Sequence, residues 1–284
     1  TMSFVNPKIG ADWLLDDANR MFVSLARGSR EPVRNDFIDR SIEAYPKAET
    51  LTDLELGWEH GTSNWSIEAV AYHMRYQNQL VLTGALNDVG SPVRVNVDSS
   101  QRTGLELSCN WRPGGGFTWF GTATRSSNTI DAFNETLVDY GTDEASIVAV
   151  RHENSNISFS PEITAASVAT MEFWNRSNSV HSTSASLEWS ARYVGKQYLD
   201  NTSNENRALP AYTVNDFRLR WIRNRTAAGS IAFSAHVRNF LNAEYSANGY
   251  TYSYLYGGLD AMTTEVYLYP QAGMHGMVSL EINF

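Results

Sequence analysis

The last seven residues of the chain, Val278-Ser279-Leu280-Glu281-Ile282-Asn283-Phe284, alternate without a break. Val278, Leu280, Ile282 and Phe284 share one face; Ser279, Glu281 and Asn283 share the other. A soluble domain rarely ends on an amphipathic strand with no polar tail, because unpaired termini fray. A strand that meets lipid on one side must pair its backbone along its whole length and carry apolar residues outward. The ending therefore constrains the fold to one in which the last strand is fully used: a transmembrane β-barrel.

The same period of two runs through the chain. Ile9, Ala11, Trp13 and Leu15 oppose Lys8 and Asp12; Met21, Val23 and Leu25 oppose Arg20, Ser24 and Ala26. Leu54, Leu56 and Trp58 oppose Asp53, Glu55 and Glu59, and Leu105, Leu107, Cys109 and Trp111 oppose Glu106, Ser108 and Asn110. Leu187, Trp189, Ala191 and Tyr193 oppose Ser186, Glu188, Ser190 and Arg192. Phe217, Leu219 and Trp221 oppose Asp216, Arg218 and Arg220. Ile231, Phe233, Ala235 and Val237 oppose Ser234, His236 and Arg238. This is strand periodicity with one polar face. One stretch departs from it: Trp65 and Ile67 have one parity, Val70, Tyr72, Met74 and Tyr76 the other, which admits a bulge.

Short turn signals at 16–19, 61–64, 113–116, 176–179 and 226–229 alternate with long polar stretches near 28–50, 79–99, 126–157, 200–209 and 247–263. Short turns at one end and long loops at the other is the layout of an outer-membrane barrel. About eleven strands fit between these connections. Since bacterial single-chain barrels hold an even number, an odd count suggests part of a barrel. No helical period or repeat competes with this reading.

Composition agrees. Mean hydropathy is -0.35, and no run approaches the ~18 apolar residues of a membrane helix. Barrels hide from such scales because only alternate residues face lipid, and 14 Tyr with 8 Trp suit interfacial girdles. A net charge of -9 with no Lys/Arg cluster argues against a nucleic-acid partner. The single cysteine, Cys109, excludes an intrachain disulfide and reads as a small apolar wall residue. Residues 1–7 lack a basic region followed by an apolar core, so a leader has been removed or the chain begins within a longer protein.

Few residues offer chemistry. None of the six histidines has metal-ligand spacing; His152, in a polar stretch, is the one candidate for capturing a haem. No Gly-x-Ser-x-Gly elbow exists, and Pro113-Gly114-Gly115-Gly116 reads as a tight turn because it lacks the lysine and helix of a phosphate loop. No catalytic residue, metal ligand or cofactor site is expected. The dense run from Tyr245 to Tyr256 places Tyr250, Tyr252, Tyr254 and Tyr256 on one face. It suits either an interface girdle or a stacking surface for an organic ligand. Arg30 and Arg34, with Asp36, Asp39 and Arg40, stand in the stretch after the second strand, where they either contact ligand or order the loop; ordering is favoured. Arg192, Arg218, Arg220 and Arg238 against Glu188, Asp216, Glu106 and Glu55 suggest a solvated charge lattice on the inward face.

Several segments together resemble a known family. These are Ser24 to Asp36 with its Arg30-Glu31-Pro32; Pro46 to Trp58, where Ala48 stands in place of the usual proline of an L-K-P-E…E-x-G run; and Tyr193-Val194-Gly195-Lys196-Gln197-Tyr198-Leu199-Asp200-Asn201-Thr202. Val237-Arg238-Asn239-Phe240-Leu241-Asn242-Ala243-Glu244-Tyr245 and Tyr267-Leu268-Tyr269-Pro270-Gln271-Ala272-Gly273 complete the set. In this order and with a terminal Phe, residues 6–284 resemble the C-terminal half of a TonB-dependent outer-membrane receptor of the kind common in Bacteroidota. The resemblance implies an all-β, antiparallel barrel portion, half of a plugged 22-stranded barrel, in a receptor that imports an iron chelate, haem, cobalamin or a glycan. Residues 1–284 would all be barrel, with no plug. The partners it implies are outer-membrane lipid, the plug and N-terminal strands of the remaining receptor, the TonB system acting through that plug, and a surface lipoprotein. It also makes Phe284 the signal read by the barrel-assembly machinery. The rivals are an outer-membrane barrel enzyme, a protease or phospholipase, and an autotransporter translocator, which would need a helix before its barrel.

Overall fold

A computed structural model describes residues 2–37, 45–86, 91–141, 144–178, 181–225 and 229–284. Its strands are β1 (Lys8–Leu14), β2 (Asn19–Arg30), β3 (Glu49–Gly61), β4 (Trp65–Leu86), β5 (Pro92–Gly114), β6 (Phe117–Asp139), β7 (Ser146–Asn156), β8 (Ile163–Ser177), β9 (His181–Val194), β10 (Gln197–Tyr198), β11 (Ala208–Leu209), β12 (Tyr212–Arg225), β13 (Gly229–Arg238), β14 (Ser246–Leu255), β15 (Met262–Pro270) and β16 (His275–Asn283). Among the described residues, eleven strands form one continuous path, β1-β2-β3-β4-β5-β6-β8-β9-β12-β13-β16. Every neighbouring pair on it is antiparallel. Of the rest, β7 pairs with β6, β14 and β15 form a hairpin, and β10 pairs with β11.

Short connections lie at one end of this sheet. At the β1–β2 turn Asp16 Oδ1 accepts the backbone N–H groups of Ala18 and Asn19, both at 2.8 Å. The β5–β6 turn uses Gly114, Gly115 and Gly116, all at positive φ, the region an L side chain seldom tolerates. The turn between β12 and β13 falls at 226–228, outside the described residues, as does Ser179 of the β8–β9 turn. At the other end the expected long loops at 79–99, 126–157 and 247–263 are largely strand. β4, β5 and β6 run for 22, 23 and 23 residues, or about 75 Å at the usual rise. A ~25 Å apolar band uses only part of that length. The rest projects beyond it, with both faces against water or protein, so the alternation that marks a membrane strand is missing there.

Cross-strand register sorts the side chains. Leu56, Leu107, Leu187 and Leu280 stand at 50%, 44%, 43% and 65% exposure, far too open for a soluble core. They mark the wall that meets lipid. On the opposite face Arg20 pairs with Asp12 and with Glu59, the latter at 2.8 Å. The 65–78 stretch contains no bulge: pairing runs unbroken from Gly61↔Ser66 to Thr50↔Gln77. Val70, Tyr72, Met74 and Tyr76 instead turn inward, by the unbroken alternation of the strand. Phe22 lies over Gly57, where an added Cβ would come within 2.0 Å of its ring, and Tyr72 lies over Gly104. The charge lattice is sparse: of the expected set, only Arg218 and Glu188 pair, at 3.6 Å.

The sheet stays open. Among the described residues β1 pairs only with β2, and β16 only with β13. Phe284 follows β16 fully exposed. Leu56 lies midway along the outward apolar run of β3. Leu56→Arg in the intact barrel is expected to lower unfolding stability by about 2–4 kcal/mol in a bilayer, while the inward Glu106→Gln stays within about 0.5 kcal/mol. Urea unfolding in lipid vesicles measures both, and equal effects would show that the faces are assigned wrongly.

Candidate ligand-binding surface

The β14–β15 hairpin sits at the long-loop end. One of its faces is buried: Thr251 and Leu255 are almost inaccessible, and Gly249 lies close to Leu199. The other carries the tyrosines. Tyr250 stacks on Tyr267 at 4.9 Å and 9°, Tyr252 stacks on Tyr267 at 6.2 Å, and Tyr254 follows Tyr252 at 6.4 Å. Tyr254 and Tyr256 meet edge to face. The four residues expected to share a face do so, and Tyr267 from β15 extends the ladder. Tyr252 and Tyr256 remain 43% and 66% exposed, leaving ring faces open to a ligand. The Tyr252 hydroxyl pKa is pushed up to about 12, first by its hydrogen bond with Tyr267. Tyr252 is thus a neutral stacking group at physiological pH, not a phenolate ready to ligate a metal.

Tyr140 adds a ring that the polar surroundings of its sequence did not single out; it lies 6.3 Å from both Tyr254 and Tyr256. Asp139 fixes this junction. Its Oδ1 accepts the N–H groups of Gly141 and Gly257, its Oδ2 that of Gly258, each at 2.8 Å. β14 also adds a short parallel pairing to the end of β6, Tyr254↔Val138 and Leu255↔Asp139. The hydrogen bonds from Gly257, Gly141 and Gly258 hold the Asp139 carboxyl below its usual pKa.

Beneath the hairpin lies a packed cap. Leu199, Leu209, Leu255 and Asn201 are fully buried. Arg207, 2% exposed, donates through Nη1 to Asp200 at 2.8 Å and also to Glu135 of β6, and its Nη2 reaches Thr264 of β15 at 3.5 Å. Asn201 Oδ1 accepts the Ser158 N–H at 2.8 Å, and its amide donates to the Leu82 carbonyl. Lys196 and Tyr198 share Glu205, which raises the lysine pKa and lowers that of Glu205.

The other candidates go elsewhere. Arg30 pairs with Glu49 at 2.8 Å. Asp36 is buried, accepts two bonds from Arg94 and caps Val33. Arg30 and Asp36 are thus held by strands β3 and β5; Arg34 is exposed, and Asp39 and Arg40 lie outside the described residues. No ring contact, ion pair or hydrogen bond joins Arg30 or Arg34 to the tyrosine ladder among the described residues. His152 is spent on structure: it bonds Glu135 at 3.0 Å and stacks on Phe133. No cluster able to hold a metal occurs among the described residues.

An open antiparallel wall, apolar outside and charged inside, with its aromatic site built on extended hairpins at one end, defines an outer-membrane receptor-type β-barrel. The family model for the TonB dependent receptor-like β-barrel matches residues 1–240, and the chain belongs to that family. It is 24% identical over 246 residues to the pesticin receptor of Yersinia enterocolitica, covering 86% of this chain and 32% of the relative. In structure it is similar to the ferric yersiniabactin uptake receptor FyuA from Yersinia pestis, with TM-score 0.62, 17% identity and coverage of 98% of this chain and 37% of the other. The siderophore receptor PiuA from Acinetobacter baumannii gives 0.65, 15%, 98% and 35%. The chain thus spans about a third of the length of these relatives. They are receptors, so the barrel-enzyme and autotransporter readings fall; the Bacteroidota subtype gains no support from them.

Asp139→Ala should release the hairpin from β6, seen as faster amide exchange at Gly257 and Gly258 with no change in the exchange of β8 and β9. Because its folded pKa is depressed, the contribution of Asp139 is present above the unfolded carboxylate pKa and fades as pH falls through the folded value. Exchange at the two glycines should therefore rise in acid in the unsubstituted protein and stay flat with pH, after correction for intrinsic rates, in Asp139→Ala.

Proposed function

We propose that this chain is the C-terminal part of the barrel of a TonB-dependent transporter, and that the full receptor imports a ferric siderophore across the outer membrane. The observation that carries the choice of ligand is the tyrosine ladder: planar, neutral and partly open rings at the long-loop end suit a bulky organic chelate. The names of the relatives, receptors for pesticin, ferric yersiniabactin and siderophores, support the same class. Haem is disfavoured because His152 is already bonded to Glu135. Cobalamin and glycans have no feature of their own in this surface.

The remainder of the receptor supplies the plug and the missing strands. The inward face suits a plug: Glu59 and Glu68 stand directly opposite one another, a like-charge pairing that favours a cationic neighbour, and Arg20 meets only the first of them. In this reading capture at the loops precedes movement of the plug, pulled by the TonB system, and no covalent chemistry is needed. Arg30 and Arg34 serve the loop rather than the ligand, Phe284 addresses the chain to the assembly machinery, and a surface lipoprotein remains a partner that the resemblance alone suggests.

The test uses full-length receptor and ferric siderophore, followed by fluorescence quenching. Replacing Tyr252, Tyr254 and Tyr256 together with Ala should weaken binding at least about tenfold, the sum expected from losing several stacked rings. Deleting 247–263 should abolish it. Unchanged affinity in both variants would sink the tyrosine site.

A further inference from the structure

The outward wall is not uniformly convex. Between β4 and β12 it sinks into a trough of about 460 Å³, within the range of sites that hold small molecules. The floor is made of small side chains in two adjacent rows. Gly121 is flanked by Cys109 and Ser167, and Ala123 by Leu107 and Ala165. The rows continue to Ala191 and Tyr193 of β9. All have the outward parity of Leu105 and Leu187, so the trough opens toward lipid. Trp119 closes it at the short-turn end. The indole lies against Gly121, where an added Cβ would come within 2.5 Å of the ring, and its N–H donates to Ser167 at 2.9 Å. That bond satisfies the hydroxyl on the floor and leaves a surface presenting chiefly carbon.

At the other end stands a cation. Arg125 follows Ala123 by two residues on the same face, roughly 7 Å further along the strand. It is exposed and makes no hydrogen bond or ion pair among the described residues. Its level marks where the outward face changes character. In register with it across the strands are Leu105, Ala71 and Leu56. One outward step beyond are Leu54 and, opposite it, His73, bonded to Thr103 at 2.8 Å, and two steps beyond is the Arg75–Asp131 ion pair. Arg125 thus stands at the outer edge of the hydrocarbon band, where an arginine costs about 0–1 kcal/mol against several at the midplane. Arg75, two outward steps higher, is already neutralised by Asp131; Arg125 has no ion pair among the described residues.

A groove for a flexible hydrocarbon chain with an unneutralised guanidinium at its outer mouth fits one molecule: an acylated lipid bearing a phosphate. We propose that the trough is a specific site for a phosphorylated, multiply acylated glycolipid of the outer leaflet, one acyl chain lying along Ala123, Ala165 and Ala191 as far as Trp119, and a phosphate on Arg125. The inference rests on the outer-membrane barrel reading and is independent of the siderophore. The outer leaflet is the source because Arg125 lies toward the long-loop end. Charge-assisted bonds from guanidinium to phosphate supply the selectivity, and shape supplies the depth.

The test uses full-length receptor, delipidated in mild detergent and titrated with lipid A or with phosphatidylglycerol, with bound lipid counted by native mass spectrometry. The unsubstituted receptor should retain one lipid A that resists exchange by phosphatidylglycerol. Arg125→Gln should weaken that retention about tenfold, and Ala165→Leu with Ala191→Leu should abolish it by filling the groove. Arg125 has no partner to lose among the described residues, so Arg125→Gln keeps the test sound should the leucine pair fail to fold. Folding is read separately from the shift in gel mobility on heating. If that shift persists and lipid A retention is the same in all variants, the site is overturned and the barrel reading stands. Equal retention of phosphatidylglycerol overturns the choice of glycolipid. A receptor with no heat shift before substitution removes the barrel reading and the site together.

Discussion

Everything in this molecule follows from the backbone's need for hydrogen-bond partners where no water can serve. In hydrocarbon each unpaired N–H or C=O costs several kcal/mol, and a strand can meet that demand only by pairing on both sides. The eleven-strand path answers it for every strand except the first and last. β1 and β16 each leave one edge unpaired within these residues. That asymmetry, more than any side chain, ties the chain to further strands: an open sheet with two bare edges is not a stable guest in a bilayer.

Once pairing is fixed, each strand has two solvents. Outward, Leu56, Leu107 and Leu280 find lipid where water would penalise them. Inward, charges and rings share one wet concavity, and aromatic residues settle over glycines, Phe22 on Gly57 and Tyr72 on Gly104, where backbone approach leaves room. The small outward residues Gly121, Ala123 and Ala165 are the converse case. Their lack of bulk makes a dent in the lipid-facing wall rather than a seat for a neighbouring side chain, save for Trp119.

The alternation from Lys8 to Leu14 and from Glu49 to Gly61 was legible because a strand between lipid and water must write its two environments into successive residues. The same logic explains what was hidden. Residues 79–83 and 126–139 are strands with polar or buried groups on both faces, so they read as loop. Val70, Tyr72, Met74 and Tyr76 mimicked a bulge because the inward face accepts apolar groups over glycines. The tyrosines of β14 were visible as a face, since period two suffices. Their partners Tyr140 and Tyr267 were not, because stacking across strands depends on register, which sequence spacing does not encode. Asp139 and Arg207 were invisible for a stronger reason: their partners lie 118 residues away at Gly257 and 72 away at Glu135.

Arg207 shows how the open end becomes a site. A buried guanidinium is tolerable only when its charge is met, and Asp200 and Glu135 meet it from a loop and from β6. Breaking such a pair leaves a charge stranded in a poor solvent, at a cost of about 3–5 kcal/mol. That cost locks residues 197–209 onto the projecting end of the sheet, and Leu199 in turn gives the buried face of β14 something to rest on. The tyrosines are held from below by packing, and Asp139 holds the tip from the side. Rings fixed in this way lose little freedom when a flat ligand lands on them. If the tyrosine face is the proposed ligand surface, its rigidity traces back through a buried ion pair that lies beneath the hairpin.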